Sequence, residues 1–295
     1  MTANMRGAAF MVLAMLGFAI EDALFKTATV TVSPGLGTLI FGLVAMALSI
    51  GYARLHGIPA WSIEYLRPRL LIRTAFELIG RLFFALSLAY VPLATTSAIL
   101  QAAPLVVTLG AAVVLGEKVG PRRWAATGVG FLGVLLILRP GADAFQPVTI
   151  FAILGMLGFA LRDLATRTAP PGVHAAQLGV LGFAVVSVAG VVIMLFEPQV
   201  TLPDGRAAVF LLATGAVGVL AYTALTLAMR TGDVSVIAPF RYSRLLIALV
   251  IAMLLFGERP DAATLGGAAL IVASGLYTLW REAGMRAQTK LKGQP

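Results

Sequence analysis

Met15–Ala28 reads MLGFAIEDALFKTA, and Met156–Ala169 reads MLGFALRDLATRTA. The offset is 141 residues (156 minus 15), and the same offset carries Gly116-Glu117 onto Gly257-Glu258. One offset holding over so much chain means that a whole half has been duplicated rather than a single helix. Each half contains about five apolar segments. An odd number of membrane crossings places the second copy upside down relative to the first, the inverted-topology repeat with which many secondary transporters alternate access.

Composition supports the membrane reading. Hydrophobic residues make up 59% of the chain and charged residues 12%, with a mean hydropathy of +0.94. A water-soluble domain of this length would have to expose too much of that apolar surface. A crossing needs about 20 apolar residues, so 295 residues hold ten crossings with short joints. The expected spans are roughly 5–30, 34–54, 70–91, 94–115, 124–139, 148–168, 174–196, 207–229, 234–256 and 262–280. Pro34, Pro92, Pro121, Pro147, Pro170, Pro171, Pro198 and Pro260 fall in or beside the joints, where a proline costs no helix hydrogen bond. The runs are continuously apolar rather than alternating, which excludes a β-barrel. The fold class is therefore all-α integral membrane: a first repeat over 1–141, a second over 142–282, and a basic tail over 283–295. The first apolar run is too long for a cleaved signal peptide and is expected to remain as the first span.

The net charge of +9 reports topology rather than a nucleic-acid partner. With a cytoplasmic amino terminus, the inner loops and tail hold Arg6, Arg54, Arg67, Arg69, Lys118, Arg122, Arg123, Arg167, Arg230, Arg281, Arg286, Lys290 and Lys292. The outer side holds Lys26, Arg139, Arg206 and Arg259. That is a strong positive-inside bias, so both termini are expected in the cytoplasm, with Trp124 and Trp280 as interfacial anchors. Small residues mark packing faces: Ala125, Ala126, Gly128 and Gly133 correspond to Gly266, Gly267, Ala269 and Ser274, where helix backbones can approach closely.

Charges inside spans carry the functional signal, because each costs about 2.5–3.5 kcal/mol at the bilayer centre unless paired or hydrated. Glu21, Asp22 and Lys26 stand toward the outer end of the first span; Arg162, Asp163 and Arg167 are their repeat mates near the inner end of the sixth. Asp22 and Lys26, like Asp163 and Arg167, are four apart and can pair locally. The two sets are expected to be the outer and inner gates, differing in sign at Glu21 and Arg162. The competing reading is end charges that only set helix depth.

In the third span Arg73, Glu77 and Arg81 repeat every four residues, with Phe84 and Leu88 continuing the stripe. The second copy has Gly215, Gly218 and Tyr222 in the comparable region, so this ladder is not duplicated. It belongs to the solute site or to an internal salt-bridge ladder. The ninth span opens Ala238-Pro239-Phe240-Arg241-Tyr242-Ser243-Arg244, where two arginines three apart suit a carboxylate or phosphate. Gln101 aligns with Tyr242, and Pro104 bends the fourth span at a matching depth, the usual pointer to a midplane site. Phe18, Phe83, Phe84, Phe159, Tyr222 and Phe240 are candidates for an aromatic lining. The expected solute site comprises Phe18, Glu77, Arg81, Phe84, Gln101, Tyr222, Phe240, Arg241, Tyr242 and Arg244. Within the spans six cationic groups, counting Arg73, stand against four anionic ones, which suits a solute with a negative group such as an amino-acid carboxylate.

Ala85–Gly141, with its LGE ending to the fourth span, and Ala224–Gly257, which leads into the matching FGE, resemble the two EamA domains of the drug/metabolite transporter superfamily. The resemblance covers nearly the whole chain. It implies ten helices in two inverted five-helix repeats around a central cavity in a bacterial inner membrane. The overall look is similar to YddG-type exporters of aromatic and neutral amino acids. The APFRYSRL stretch also resembles members that carry S-adenosylmethionine, riboflavin or metallophores, and similar motifs serve sugar-phosphate carriers.

Other classes find little support. There is no cysteine, which removes disulfides, thiol nucleophiles and iron–sulfur ligation. His56 and His174 have no metal-ligand spacing, and no P-loop is present. No catalytic residue, cofactor or metal is expected. The partners expected are a small solute, foremost an amino acid, and the bilayer. Protons are a candidate coupling ion through Glu21, Asp22, Glu77 or Asp163, against simple equilibration of the solute. Monomer and homodimer both remain open, and a channel or a non-transporting membrane protein is the alternative class.

Overall fold

The computed structural model describes residues 3–114, 121–138, 146–166, 175–231 and 238–292. Eleven α-helices lie in these residues: α1 (Ala3–Ala28), α2 (Pro34–Leu55), α3 (Pro68–Tyr90), α4 (Leu93–Leu100), α5 (Ala103–Val114), α6 (Pro121–Leu138), α7 (Ile150–Thr166), α8 (Ala175–Met194), α9 (Gly205–Thr231), α10 (Ser243–Phe256) and α11 (Ala262–Lys292). No strand occurs among them. Prolines open α2 and α3 at their first positions, where the missing N–H would have had no partner. The expected fourth span is two helices, α4 and α5, interrupted at Gln101-Ala102. Pro104 has no N–H to donate to Leu100, so the chain tightens there into bonds from Gln101 N–H to Ala98 and from Ala102 N–H to Ile99. The ninth span opens with a 3₁₀ turn over Ala238–Tyr242 before α10. The segment expected to be a basic tail continues α11 as helix to Lys292.

Five of the helices are by themselves long and apolar enough to cross a bilayer. Their outward faces carry large side chains such as Leu13, Leu43, Leu48, Val188, Leu212 and Leu220, a surface that hydrocarbon tolerates and water does not. Trp124 and Trp280 are both exposed.

Packing follows the repeat. α1 lies along α9, and α7, the mate of α1, lies along α3, the mate of α9; α2 pairs with α8, and α6 with α11. The seams use the same positions twice. Gly17 meets Ala221, where a side-chain carbon added to Gly17 would stand 2.8 Å from the Ala221 methyl. Their mates at offset 141, Gly158 and Gly80, meet in the other seam, where a carbon added to Gly158 would stand 2.5 Å from Gly80 Cα. The small-residue face expected on the fifth and tenth spans closes α6 on α11 within the monomer: a carbon on Gly133 would stand 2.7 Å from the Gly267 carbonyl. In apolar solvent such close approach supplies the helix association that the hydrophobic effect supplies in water.

The loop between α2 and α3 is tied down by Tyr65, whose hydroxyl donates to the carbonyls of Ala60 and Gln177, each at 3.0 Å. Burial pushes this phenol up to about 12, so it stays a donor throughout the physiological range.

One expectation follows from the seams. Gly158→Val forces backbone against backbone and is expected to cost about 1–3 kcal/mol or more, seen as a lower thermal unfolding midpoint in detergent. Gly128→Ala, with open space around it, is expected to leave the midpoint unchanged.

Candidate solute site

The charges expected inside the spans are inside, and they pair both along one helix and across helices. Arg73 and Glu77 lie on the buried stripe of α3 with Phe84 and Leu88. Glu77 is the hub: its Oε2 accepts from Arg73 Nη1 at 2.7 Å, and its Oε1 accepts from Arg162 Nη1 of α7 at 3.4 Å. Arg162 also donates to Asp163 Oδ1 from Nε at 3.0 Å and from Nη2 at 2.8 Å. Tyr222 of α9, whose ring meets Phe183 edge to face, adds a phenol within electrostatic reach of Glu77 and Arg162. The pairing of Asp163 with Arg167 falls on a residue outside those described.

The first span departs from its expected local pair. Lys26 turns away from Asp22, donating to the carbonyls of Leu88 at 3.2 Å and Val91 at 2.8 Å at the end of α3. Those carbonyls have no intrahelical partner and sit at the negative end of the helix dipole, which draws a cation. Asp22 instead accepts from Arg244 Nη2 of α10 at 2.5 Å.

Arg241 and Arg244 therefore do not face the same way. Arg244 reaches to α1, while Arg241 lies within electrostatic reach of Asp163 and its carbonyl accepts from Gln101 Nε2 at 3.2 Å. Asp22 and Asp163 are repeat mates, and each draws one arginine. Tyr242 packs its ring and hydroxyl against Gly275 of α11, and Phe240 is exposed; neither adjoins the charge cluster. Phe83 stacks on Phe151 at 6.0 Å and faces a flank cavity with Tyr90 and Phe196. That cavity, of about 430 Å³, is bordered by Glu197 and by none of the charges named above.

At the centre, rings and guanidinium groups alternate. Arg244 lies over Phe18 at 5.2 Å and over Phe84 at 5.7 Å. Phe84 meets Phe159 edge to face at 5.6 Å, and Phe159 carries both Arg162 at 4.9 Å and Arg81 at 5.5 Å. Phe18 and Phe159 are repeat mates, a relation already present in the doubled stretch. A small cavity adjoins this string, lined by Glu21, Asp22, Arg81 and Phe84 together with Thr38, Phe41 and Val186. Its volume of about 20 Å³ holds little more than one water. A metabolite needs helix movement to enter. Three buried polar atoms at this centre lack a hydrogen-bond partner among the described residues: Glu21 Oε2, Arg81 Nε and Arg244 Nε.

The Lys26 end of the bundle is fastened by helix termini. Gly257, in the left-handed region at φ +61°, stops α10 and turns Glu258 across to α4. There its carboxylate accepts from Leu93 N–H at 2.8 Å and Ala94 N–H at 3.0 Å, capping α4 from another helix. Glu197 does the same for Gly35 N–H of α2 at 2.8 Å. The Gly-Glu doublet thus has a mechanical reading, one that its repetition signalled without revealing the partner. Gly116-Glu117 lies outside the described residues.

An inverted helical repeat enclosing a polar, gateable centre defines a membrane transporter of small metabolites. The chain belongs to the EamA-like transporter family, which matches residues 5–139 and again 146–280. Among curated relatives it is 28% identical to a riboflavin transporter of Rhizobium johnstonii, over 96% of this chain and 93% of that protein. It is 26% identical to an S-adenosylmethionine uptake transporter of Rickettsia felis, over 72% of this chain and 71% of that one. To the pseudopaline exporter CntI of Pseudomonas aeruginosa it is 26% identical, over 91% and 94%. A crystal structure with 21% sequence identity superposes with a TM-score of 0.63, over 95% of this chain and 98% of that chain, and shares the fold.

The hub makes a stability prediction. Glu77→Gln leaves Arg73 and Arg162 short of a buried counter-charge and is expected to cost about 3–5 kcal/mol, lowering the unfolding midpoint. Glu64→Gln, which breaks a more exposed loop pair with Arg67, is expected to cost less than about 1 kcal/mol.

Proposed function

We propose that this protein is an alternating-access carrier for a metabolite with a flat heteroaromatic ring system, of the riboflavin kind. The observation that carries the reading is the alternation of Phe18, Arg244, Phe84, Phe159 and Arg81, with the Nε donors of Arg81 and Arg244 buried and unused. Rings stack on phenyl and guanidinium planes, and spare donors suit carbonyl oxygens on the ring edge. Two relatives spanning nearly all of this chain, from Rhizobium johnstonii and Vibrio cholerae, are riboflavin transporters, which supports the same choice. The two repeats, 1–141 and 142–282, are the bodies that rock about the site. Both termini face the cytoplasm, which puts Lys26, Glu258 and Glu197 at the outer gate and Arg162, Asp163 and Arg167 at the inner one. Neutral or aromatic amino-acid export is the second reading. It rests on the resemblance to YddG-type exporters and on the excess of six cationic over four anionic groups in the spans; the stacked rings and unused donors favour the heteroaromatic solute over it.

Counterflow in liposomes tests both. With excess unlabelled riboflavin inside and labelled riboflavin outside, transient accumulation of label is expected. It should resist excess phenylalanine and fall at least about tenfold in Arg81→Ala, the loss of one well-placed interaction. Accumulation of labelled phenylalanine instead, with no riboflavin flux, would return the amino-acid reading.

A further inference from the structure

Of the four carboxylates inside the bundle, three have cationic partners: Glu77 with Arg73 and Arg162, Asp22 with Arg244, Asp163 with Arg162. Glu21 differs. It is 6% exposed, its Oε2 has no hydrogen-bond partner, and it lines the small cavity at the Lys26 end. Its repeat mate Arg162 meets Glu77 of α3, whereas Glu21 meets Gly218, the repeat mate of Glu77, at the facing position of α9. A carbon added to Gly218 would stand 3.1 Å from Glu21 Oε2. Neither half of that ion pair is repeated: the arginine position carries a carboxyl group and the glutamate position a hydrogen.

The groups around it offer no substitute. Asp22 on its own helix is of the same sign, and its counter-charge Arg244 already serves it. Arg81 approaches from α3 electrostatically, without a hydrogen bond, while its guanidinium lies over Phe159. From α2 the cavity presents Thr38, whose hydroxyl donates to Pro34, and Phe41; from α8 it presents Val186. Burial without a donated hydrogen bond disfavours the charged form of a carboxyl group. A carboxylic acid needs no counter-ion there.

From this arrangement we propose that Glu21 is a proton-binding site, and that the Lys26 end closes over it only when its carboxyl is protonated. With that end open, water reaches Glu21 and the proton leaves. With it closed, the neutral acid is buried as seen here. Proton binding and release at one carboxyl then bias the gate, which couples solute movement to a pH gradient. The proposal rests on the alternating-access reading, but not on the identity of the solute.

The absence of cysteine allows a test that needs no substrate. Thr38→Cys places a thiol in the same cavity, and Val30→Cys places one in the exposed turn after α1 at the same end as the reference for intrinsic thiol reactivity. In liposomes, labelling of Cys at 38 by a water-soluble maleimide, divided by that at 30, is expected to rise about tenfold from mildly acidic to mildly alkaline pH, as one buried site loses its proton. In Glu21→Gln, which mimics the neutral acid, the ratio is expected to stay low at every pH. A ratio that ignores pH in the parent, or a pH response that survives Glu21→Gln, would overturn the proposal. If Thr38→Cys does not fold, Val186→Cys reports on the same cavity. In transport assays with whichever solute is carried, Glu21→Gln is expected to slow counterflow at every pH and to lose accumulation driven by a pH gradient, since the Lys26 end stays closed. Absence of riboflavin flux with the labelling response intact would reject the solute assignment and leave the proton site standing.

Discussion

Hydrocarbon cannot solvate an ion, and this constraint organises the interior of the bundle. Every guanidinium placed there must find a counter-charge, an acceptor or a ring face within reach, and every carboxyl group must find a donor or stay neutral. Glu77 answers two arginines at once, one from its own helix and one from α7, so it fixes the depth of α3 against α7 as well as the charge balance. The bare glycine seam formed by Gly80 and Gly158 lies beside it. Packing and electrostatics therefore act on the same pair of helices: the close seam brings Arg162 to Glu77, and the ion pair sets the register of the seam.

The same constraint explains the Lys26 end. A helix that stops inside or near the membrane leaves carbonyls or N–H groups without partners, and here side chains from neighbouring helices supply them: Lys26 for α3, Glu258 for α4, Glu197 for α2. Each is a bond between a charged group and the oppositely signed end of a helix dipole. Such contacts are separable without breaking any helix, because the groups they release become hydrated when the end opens. Under the alternating-access reading proposed above, fastening this end by helix termini rather than by buried ion pairs keeps its opening affordable.

Much of this was legible in the sequence. The offset of 141 residues, the apolar runs and the prolines at the joints specify an all-helical inverted repeat, because hydropathy and duplication are properties of the chain itself. The stripe of Arg73, Glu77, Phe84 and Leu88 followed from a spacing of four on one helix. Partner choice was not legible. Asp22 and Lys26 satisfy the rule for a helical pair, yet the unpaired carbonyls of α3 take the lysine, and an arginine 222 residues away takes the aspartate. Flexible cationic side chains go to the nearest unmet charge in three dimensions, which local periodicity does not encode. For the same reason Arg241 and Arg244, three apart, diverge toward Asp163 and Asp22.

Duplication gives both halves the same seams, and divergence makes the halves chemically different. Positions that meet another backbone stayed small in both copies: Gly17 with Ala221, Gly158 with Gly80. Positions facing the centre changed. Arg73, Glu77 and Arg81 of α3 stand where α9 has Thr214, Gly218 and Tyr222, and Glu21 stands where α7 has Arg162. Two gates identical by symmetry would open and close with equal ease, and nothing but the solute gradient could set a direction. A centre whose ionic contacts are complete on one side and lack a partner on the other breaks that equivalence. The asymmetry sits at the residues that the proposed solute and proton would meet, while the seams between the halves remain a matched pair.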